Sequence, residues 1–138
     1  EQELDELIKD DSRIRKIGWV EANELYRYFS AADIAVFPGG QSAIWQQAIS
    51  CELPVILKYW PGTEYLIDRN NGSFIFSDAP RELRQYLDFL TSNENSDILR
   101  SMKSGAIRER DEVLSYELIA KQTLEVFDGN HKIVLIRS

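Results

Sequence analysis

The sequence predicts an α/β fold with a doubly wound, mostly parallel sheet, and three observations carry that reading. Short apolar runs suited to strands alternate with longer amphipathic stretches suited to helices. The runs Asp33 to Phe37 and Pro54 to Lys58 are nearly continuously apolar, the pattern of strands covered on both faces. Turn residues punctuate the runs, with Pro38-Gly39-Gly40 ending one strand and Asn70-Asn71-Gly72 preceding another.

Taken in order, Glu1 to Lys9 sets Leu4, Leu7 and Ile8 at helical spacing among acids, which predicts an amphipathic helix. Arg13 to Val20 is a short mixed run that suits a strand. From Asn23, a plausible N-cap, Leu25, Tyr26, Phe29 and Ala32 form one helix face for packing on the sheet. After the strand ending at Phe37, Ser42 to Cys51 reads as a helix with Ala43, Ile44, Gln47, Ala48 and Cys51 on neighbouring rows. Pro54 to Lys58 is the next strand, Gly62 to Ile67 a short helical turn, and Ser73 to Phe76 a fourth strand. Pro80 suits a helix first turn, followed by the stripe Leu83, Tyr86, Leu87 and Leu90 and the polar run Thr91 to Ser96. Two further helices are expected over Asp97 to Arg110 and Ser115 to Phe127, with Asp128-Gly129-Asn130 closing the second. Lys132 to Ile136 is apolar on both faces, so residues 128–138 are read as a tail carrying a strand.

The 138 residues, 43% hydrophobic and 28% charged, suit one domain over 1–138 and exclude disordered and fibrous classes. A formal charge of −7 argues against nucleic acid or an anionic membrane as main partner, so any phosphate binding must be local. A single cysteine excludes an internal disulfide and a cysteine-rich zinc site. With no leader-like start or long apolar run, a cytoplasmic location is expected.

In open parallel sheets ligands bind beyond the carboxyl ends of the strands, which directs attention to the turns there. In Pro38-Gly39-Gly40-Gln41-Ser42, glycines permit close backbone approach and a helix start offers amides to a phosphate. The plainer reading is a sharp turn with Ser42 as cap. Lys58, Lys16 and Arg69 lie near strand ends or loops, Lys58 being the best placed to meet a diphosphate and a solvated charge the commoner role for each. Trp45 and Tyr59-Trp60 suit a base or sugar, with core or cover the commoner role. His131 is a poor general base, and Cys51 reads as a packed thiol. The acidic runs Asp10-Asp11 and Glu109 to Glu112 lack metal-site spacing, and no Asp-x-Asp pair is present, so no metal is implied.

From Arg13 through Phe76 the order of motifs resembles the nucleotide-sugar-binding C-terminal domain of retaining glycosyltransferases of the GT-B fold, the group that includes glycogen synthases. Ile17-Gly18-Trp19-Val20, Leu25-Tyr26 and Ala31 to Pro38 are similar to "G-x-V … L-Y … A-D-V-x-V-x-P-S". Gln47 to Ile56 resembles "E-A-M-A-x-G-x-P-V-I", and Gly62 to Ile67 with Asn71 to Ile75 resembles "G-x-x-E-x-I … N-G-x-L-V".

The resemblance implies a Rossmann-like half of a GT-B fold with extra C-terminal helices. It implies a UDP-, GDP- or ADP-linked sugar as donor substrate, no separate cofactor, and use in polysaccharide biosynthesis. Gly39, Gly40, Gln41 and Ser42 would cradle phosphate or sugar, Gln47 would contact ribose, and Lys58 and Glu64 would complete the donor site. The family's two Glu residues, eight apart, are changed: Gln47 stands at the second, counting back eight reaches Gly39, and Gln41 is the nearest stand-in for the first. No catalytic residue is named by the motifs.

Glu52 replaces the usual helix-end Gly, which predicts an altered turn before Pro54. The family's first two strands and its Arg/Lys diphosphate clamp do not precede Glu1. The resemblance therefore implies a partial domain, inactive alone, whose acceptor domain comes from the rest of the polypeptide or a partner chain. Any peripheral membrane association would have to come through those other parts, and the tail strand at Lys132 to Ile136 would fill or bridge the gap those two strands leave in the sheet, or pair with another chain. The rival expectation is a non-catalytic, degenerate α/β interaction module; a receiver or flavodoxin-like module lacks its acidic cluster or flavin loop.

Overall fold

The computed structural model describes residues 5–6 and 8–127. Within them α1 (Leu25–Ala31), β1 (Ala35–Phe37), α2 (Ile44–Ser50) and β2 (Val55–Lys58) are followed by a 3-10 turn (Glu64–Ile67) and β3 (Gly72–Ile75). Then come α3 (Pro80–Leu90), a second 3-10 turn (Asn93–Asn95), α4 (Ser96–Glu112) and α5 (Tyr116–Phe127). The strands form one parallel sheet in the order β1-β2-β3, with Val36 beside Ile56 and Ile56 beside Ser73.

β1 and the first three residues of β2 are apolar on both sides, and helices cover both faces of the sheet. On one face Ala35, Val55 and Leu57 pack with Trp45, Ala48 and Ile49 of α2, together with Leu53, Leu66 and Ala106 of α4. On the other, Ile56 and Ile75 pack with Leu90 of α3 and Met102 of α4, and the expected stripe Leu83, Tyr86 and Leu87 joins them. The α/β architecture and parallel open sheet therefore follow the sequence reading. Pro80 occupies the first turn of α3, as its fixed φ and missing N–H favour.

Several local expectations are corrected. Arg13 to Val20 forms no strand, and Ile14, Ile17 and Trp19 are exposed. A strand needs a ladder partner, and among the described residues none lies beside this segment. Glu24, not Asn23, caps α1 without a side-chain hydrogen bond; α1 buries no residue fully, and Phe29 is its contact with the core. The α2 N-cap is Ala43, with Ser42 Oγ accepting only a long 3.4 Å bond from the Ile44 amide. The inward row of α2 is Trp45, Ala48 and Ile49, which turns Gln47 outward. The tail strand at Lys132 to Ile136, His131, the Asp128 to Asn130 turn and most of the Glu1 to Lys9 helix lie outside the described residues.

The turn after α2 keeps the geometry a glycine would give. Glu52 adopts φ 64°, the Leu53 amide donates to the Ala48 carbonyl at 3.2 Å, and the Glu52 amide to Ile49 at 2.8 Å. This is the left-handed Schellman ending with a glutamate in the glycine position. The Glu52 carboxylate is held by Arg110 of α4, which ties the end of α2 to that helix. A left-handed non-glycine residue costs about 1–2 kcal/mol, whereas a half-exposed ion pair returns at most about 1 kcal/mol. Glu52→Gly is accordingly expected to raise the unfolding free energy by up to about 1 kcal/mol in urea denaturation, and a loss of stability would show that Arg110 outweighs the backbone strain.

Candidate functional site

Adjacent parallel strands bring their following loops together, and here Pro38 to Ser42 leaves β1 beside Tyr59 to Glu64 leaving β2. The Trp60 indole N–H donates to the Gly39 carbonyl at 3.4 Å, joining the two loops. Between them lies a recess of about 490 Å³ whose lining includes Gln41, Ser42, Trp45, Gly62, Thr63 and Tyr65. Gly62 takes the left-handed φ of 88°, and Thr63 is buried with its hydroxyl donating to the Trp60 carbonyl at 2.6 Å, which sets the shape of the second loop.

A Cβ added at Gly39 or Gly40 would meet nothing within 4 Å, and neither glycine has a left-handed φ. The turn itself therefore makes no steric demand for glycine, and open space lies over its backbone. Glu64 begins the 3-10 turn, and its carboxylate accepts from its own amide and from the Tyr59 hydroxyl at 2.8 Å. Those bonds hold it below the usual carboxylate range and push the Tyr59 hydroxyl upward.

A second, larger groove of about 560 Å³ runs between α1, α2 and α5, walled by Leu25, Tyr26, Gln47, Leu114 and Ile119. It shares Ala43, Gln46 and Tyr65 with the first recess, so the two adjoin across the start of α2. The Gln46 amide donates to the Tyr65 hydroxyl at 3.0 Å along this divide. Thus Gln41 and Ser42 line one recess and Gln47 the other, with Gly39, Gly40 and Glu64 in the loops that border the first. Gln46, Thr63 and Tyr65 were missed by sequence reasoning, although Thr63 and Tyr65 flank Glu64 within the same motif.

Lys58 is not brought to either recess: its ammonium donates to Asp78 at 2.8 Å and to the Phe76 carbonyl at 2.9 Å. Lys16 pairs with Asp5, and Arg69 with Glu112 of α4. Trp45 is core, 2% exposed and 6.4 Å from the Phe37 ring. Cys51 is half-buried, and burial, followed by the neighbouring Glu52 charge, pushes its thiol up, the opposite of what a nucleophile needs. Among the described residues no group of three His, Cys, Asp or Glu is placed to hold a metal, and no helix is long and apolar enough to cross a membrane.

A parallel sheet covered on both faces, with a recess between the loops that leave the carboxyl ends of β1 and β2, defines a Rossmann-like half-domain. The model of the family "Glycosyl transferases group 1" matches residues 1–93, and the chain belongs to that family. Its chemistry is therefore glycosyl transfer. No curated protein and no solved structure matches the chain.

Proposed function

We propose that this domain holds the nucleotide-sugar donor of a retaining GT-B glycosyltransferase. The observation that carries the reading is the pair of adjoining recesses straddling the start of α2, one containing Gln41 and Ser42 and the other Gln47. The nucleoside of a UDP-, GDP- or ADP-sugar occupies the larger groove, where the Gln47 amide can both donate to and accept from ribose hydroxyls. The diphosphate crosses the Gly39 to Ser42 turn, whose backbone is open to close approach. The sugar then faces Gln41 and the Gly62 to Glu64 loop, with the ionised Glu64 as a hydroxyl acceptor.

In the transfer the bond from sugar C1 to the phosphate oxygen breaks and a bond from C1 to the acceptor oxygen forms, while the acceptor proton passes to the leaving phosphate. This chain's part is orientation of the donor. The acceptor is held by another domain of the full protein or by a partner chain, and Lys58, committed to Asp78, stands outside the donor assignment.

The test is an NMR titration of the 138-residue chain with UDP, GDP, ADP and their common sugars, followed at the amides of Gly39 to Ala43 and Gln47. One nucleotide is expected to shift these amides selectively. Gln47→Ala is expected to weaken it about 3- to 10-fold, the worth of one neutral hydrogen bond. A silent panel overturns the donor reading, and unchanged affinity in the variant removes Gln47 from the site.

A further inference from the structure

Beside the donor recess, the carboxyl edge of the sheet carries an aromatic surface that this reading does not use. Tyr59 follows β2, and Phe74 and Phe76 lie in and just after β3. The Tyr59 and Phe76 ring centroids are 5.0 Å apart at 32°, and Phe74 meets Tyr59 edge-on at 5.4 Å. Trp60, next in sequence, turns its indole N–H to the Gly39 carbonyl instead. Phe76 is 64% exposed and Trp60 43% exposed.

The exposed Phe76 ring stands on a fixed backbone. The Phe76 and Ser77 amides donate to the Glu82 carboxylate at 3.0 and 2.8 Å, and the Phe76 carbonyl accepts from Lys58. Those amide bonds hold Glu82 ionised, below its usual range. The Glu64 carboxylate meets the cluster at the Tyr59 hydroxyl, and Asp78, whose side chain is 93% exposed, pairs with Lys58. The nearby cation, Lys58, is occupied by Asp78 and the Phe76 carbonyl. The open face of Phe76, backed by Tyr59 and with the Glu64 carboxylate at the Tyr59 hydroxyl, suits a neutral ring with C–H groups on its faces and hydroxyl donors on its edge, and it suits a phosphate poorly.

We propose that the outer face of Phe76, backed by Tyr59, is a shelf on which a pyranose ring of the acceptor saccharide stacks, next to the donor recess; the word acceptor rests on the donor reading above. The test uses the nitrogen-15-labelled 138-residue chain and a panel of maltotriose, cellotriose, chitotriose and mannotriose. The readout is the backbone amides of Phe76 and Ser77. One trisaccharide is expected to shift both signals saturably at millimolar concentration, leaving the indoles of buried Trp45 and of Trp19 in place. Phe76→Ser should weaken this at least tenfold and Phe76→Tyr less than twofold, with unchanged signals elsewhere showing that the fold is intact.

Free UDP, GDP and ADP should leave the shelf signals unmoved. A panel in which no trisaccharide moves them overturns the proposal. Shifts produced only by nucleotide-sugars also overturn it, since the stacked ring would then be the donor's. Trisaccharide binding beside silent Gly39 to Ala43 amides would support the saccharide shelf and reject the donor reading, so the two failures are distinguishable.

Discussion

Gly105→Ala is expected to lower the unfolding free energy by about 2–3 kcal/mol, although alanine is the better helix former by about 1 kcal/mol. Gly105 lies on α4 where that helix crosses the turn into β3. A Cβ there would overlap the Arg69 carbonyl oxygen and approach the Asn70 carbonyl oxygen to 2.6 Å. These are backbone atoms, fixed in place by the Arg108 guanidinium bonding the Arg69 carbonyl at 3.0 Å and by the Asn70 amide on Ser101 at 3.2 Å. Relief requires α4 to move off the sheet, loosening Met102 and Ala106 in the core. Urea denaturation measures the effect, and a neutral or stabilising result would show that the turn yields. Because this turn starts β3, whose end presents Phe76, the variant should also broaden the Phe76 amide signal.

The opposite sign is expected at Glu109, one turn further along α4. Its side chain is fully buried, and neither carboxylate oxygen has a hydrogen-bond partner. Desolvation raises its pKa above the usual 4.5; the Arg69 charge opposes the rise, while the charges of Asp68 and Glu112 add to it. A group whose folded pKa is raised stabilises fully below its unfolded pKa and loses that contribution as pH climbs through the folded value. Glu109 therefore weakens the fold increasingly above about pH 4.5. Glu109→Met, similar in size and apolar, is expected to raise stability by about 1–3 kcal/mol at pH 7 and to give little or no gain at pH 4. Glu64, Glu82 and Asp111 have lowered pKa values and act oppositely in acid, so the informative quantity is the difference between variant and wild type across pH. An equal gain at both values would place the effect in packing rather than charge.

What was legible in the sequence was whatever depends on local pattern. The apolar runs at Asp33 to Phe37 and Pro54 to Lys58 announced strands covered on both faces, and the stripe Leu83 to Leu90 announced its helix. Arg13 to Val20 had strand-like composition, but a strand is a property of a pair, and one segment cannot report its neighbour. Lys58 looked suited to a diphosphate because sequence does not reveal that Asp78, twenty positions on, lies within 2.8 Å. Gly105 reads as a helix weakness until the Arg69 and Asn70 carbonyls are placed against it. Glu52 in place of the helix-end glycine pointed to an altered turn, yet the Schellman bonds and Arg110 keep the glycine geometry. In the candidate site, motif order pointed to the loops after β1 and β2, while the separation of Gln41 from Gln47 into adjoining recesses required the helix to be built.

Among the described residues β1 lies at the margin of the sheet, with a consequence for how these residues behave in concentrated solution. The Ala35 amide donates to the Pro54 carbonyl, so by the alternation of a parallel ladder Val36 turns its own amide and carbonyl toward the free margin. Such a margin is a template for strand addition and aggregation, and two neighbours restrain it. Asp33 places a charge before the strand and Pro38 removes a donor immediately after it, the devices by which natural sheets refuse foreign strands. Among the described residues the strip open on that side is only Ala35–Phe37, enough to seat a short complementary strand and too short to seed a growing fibril.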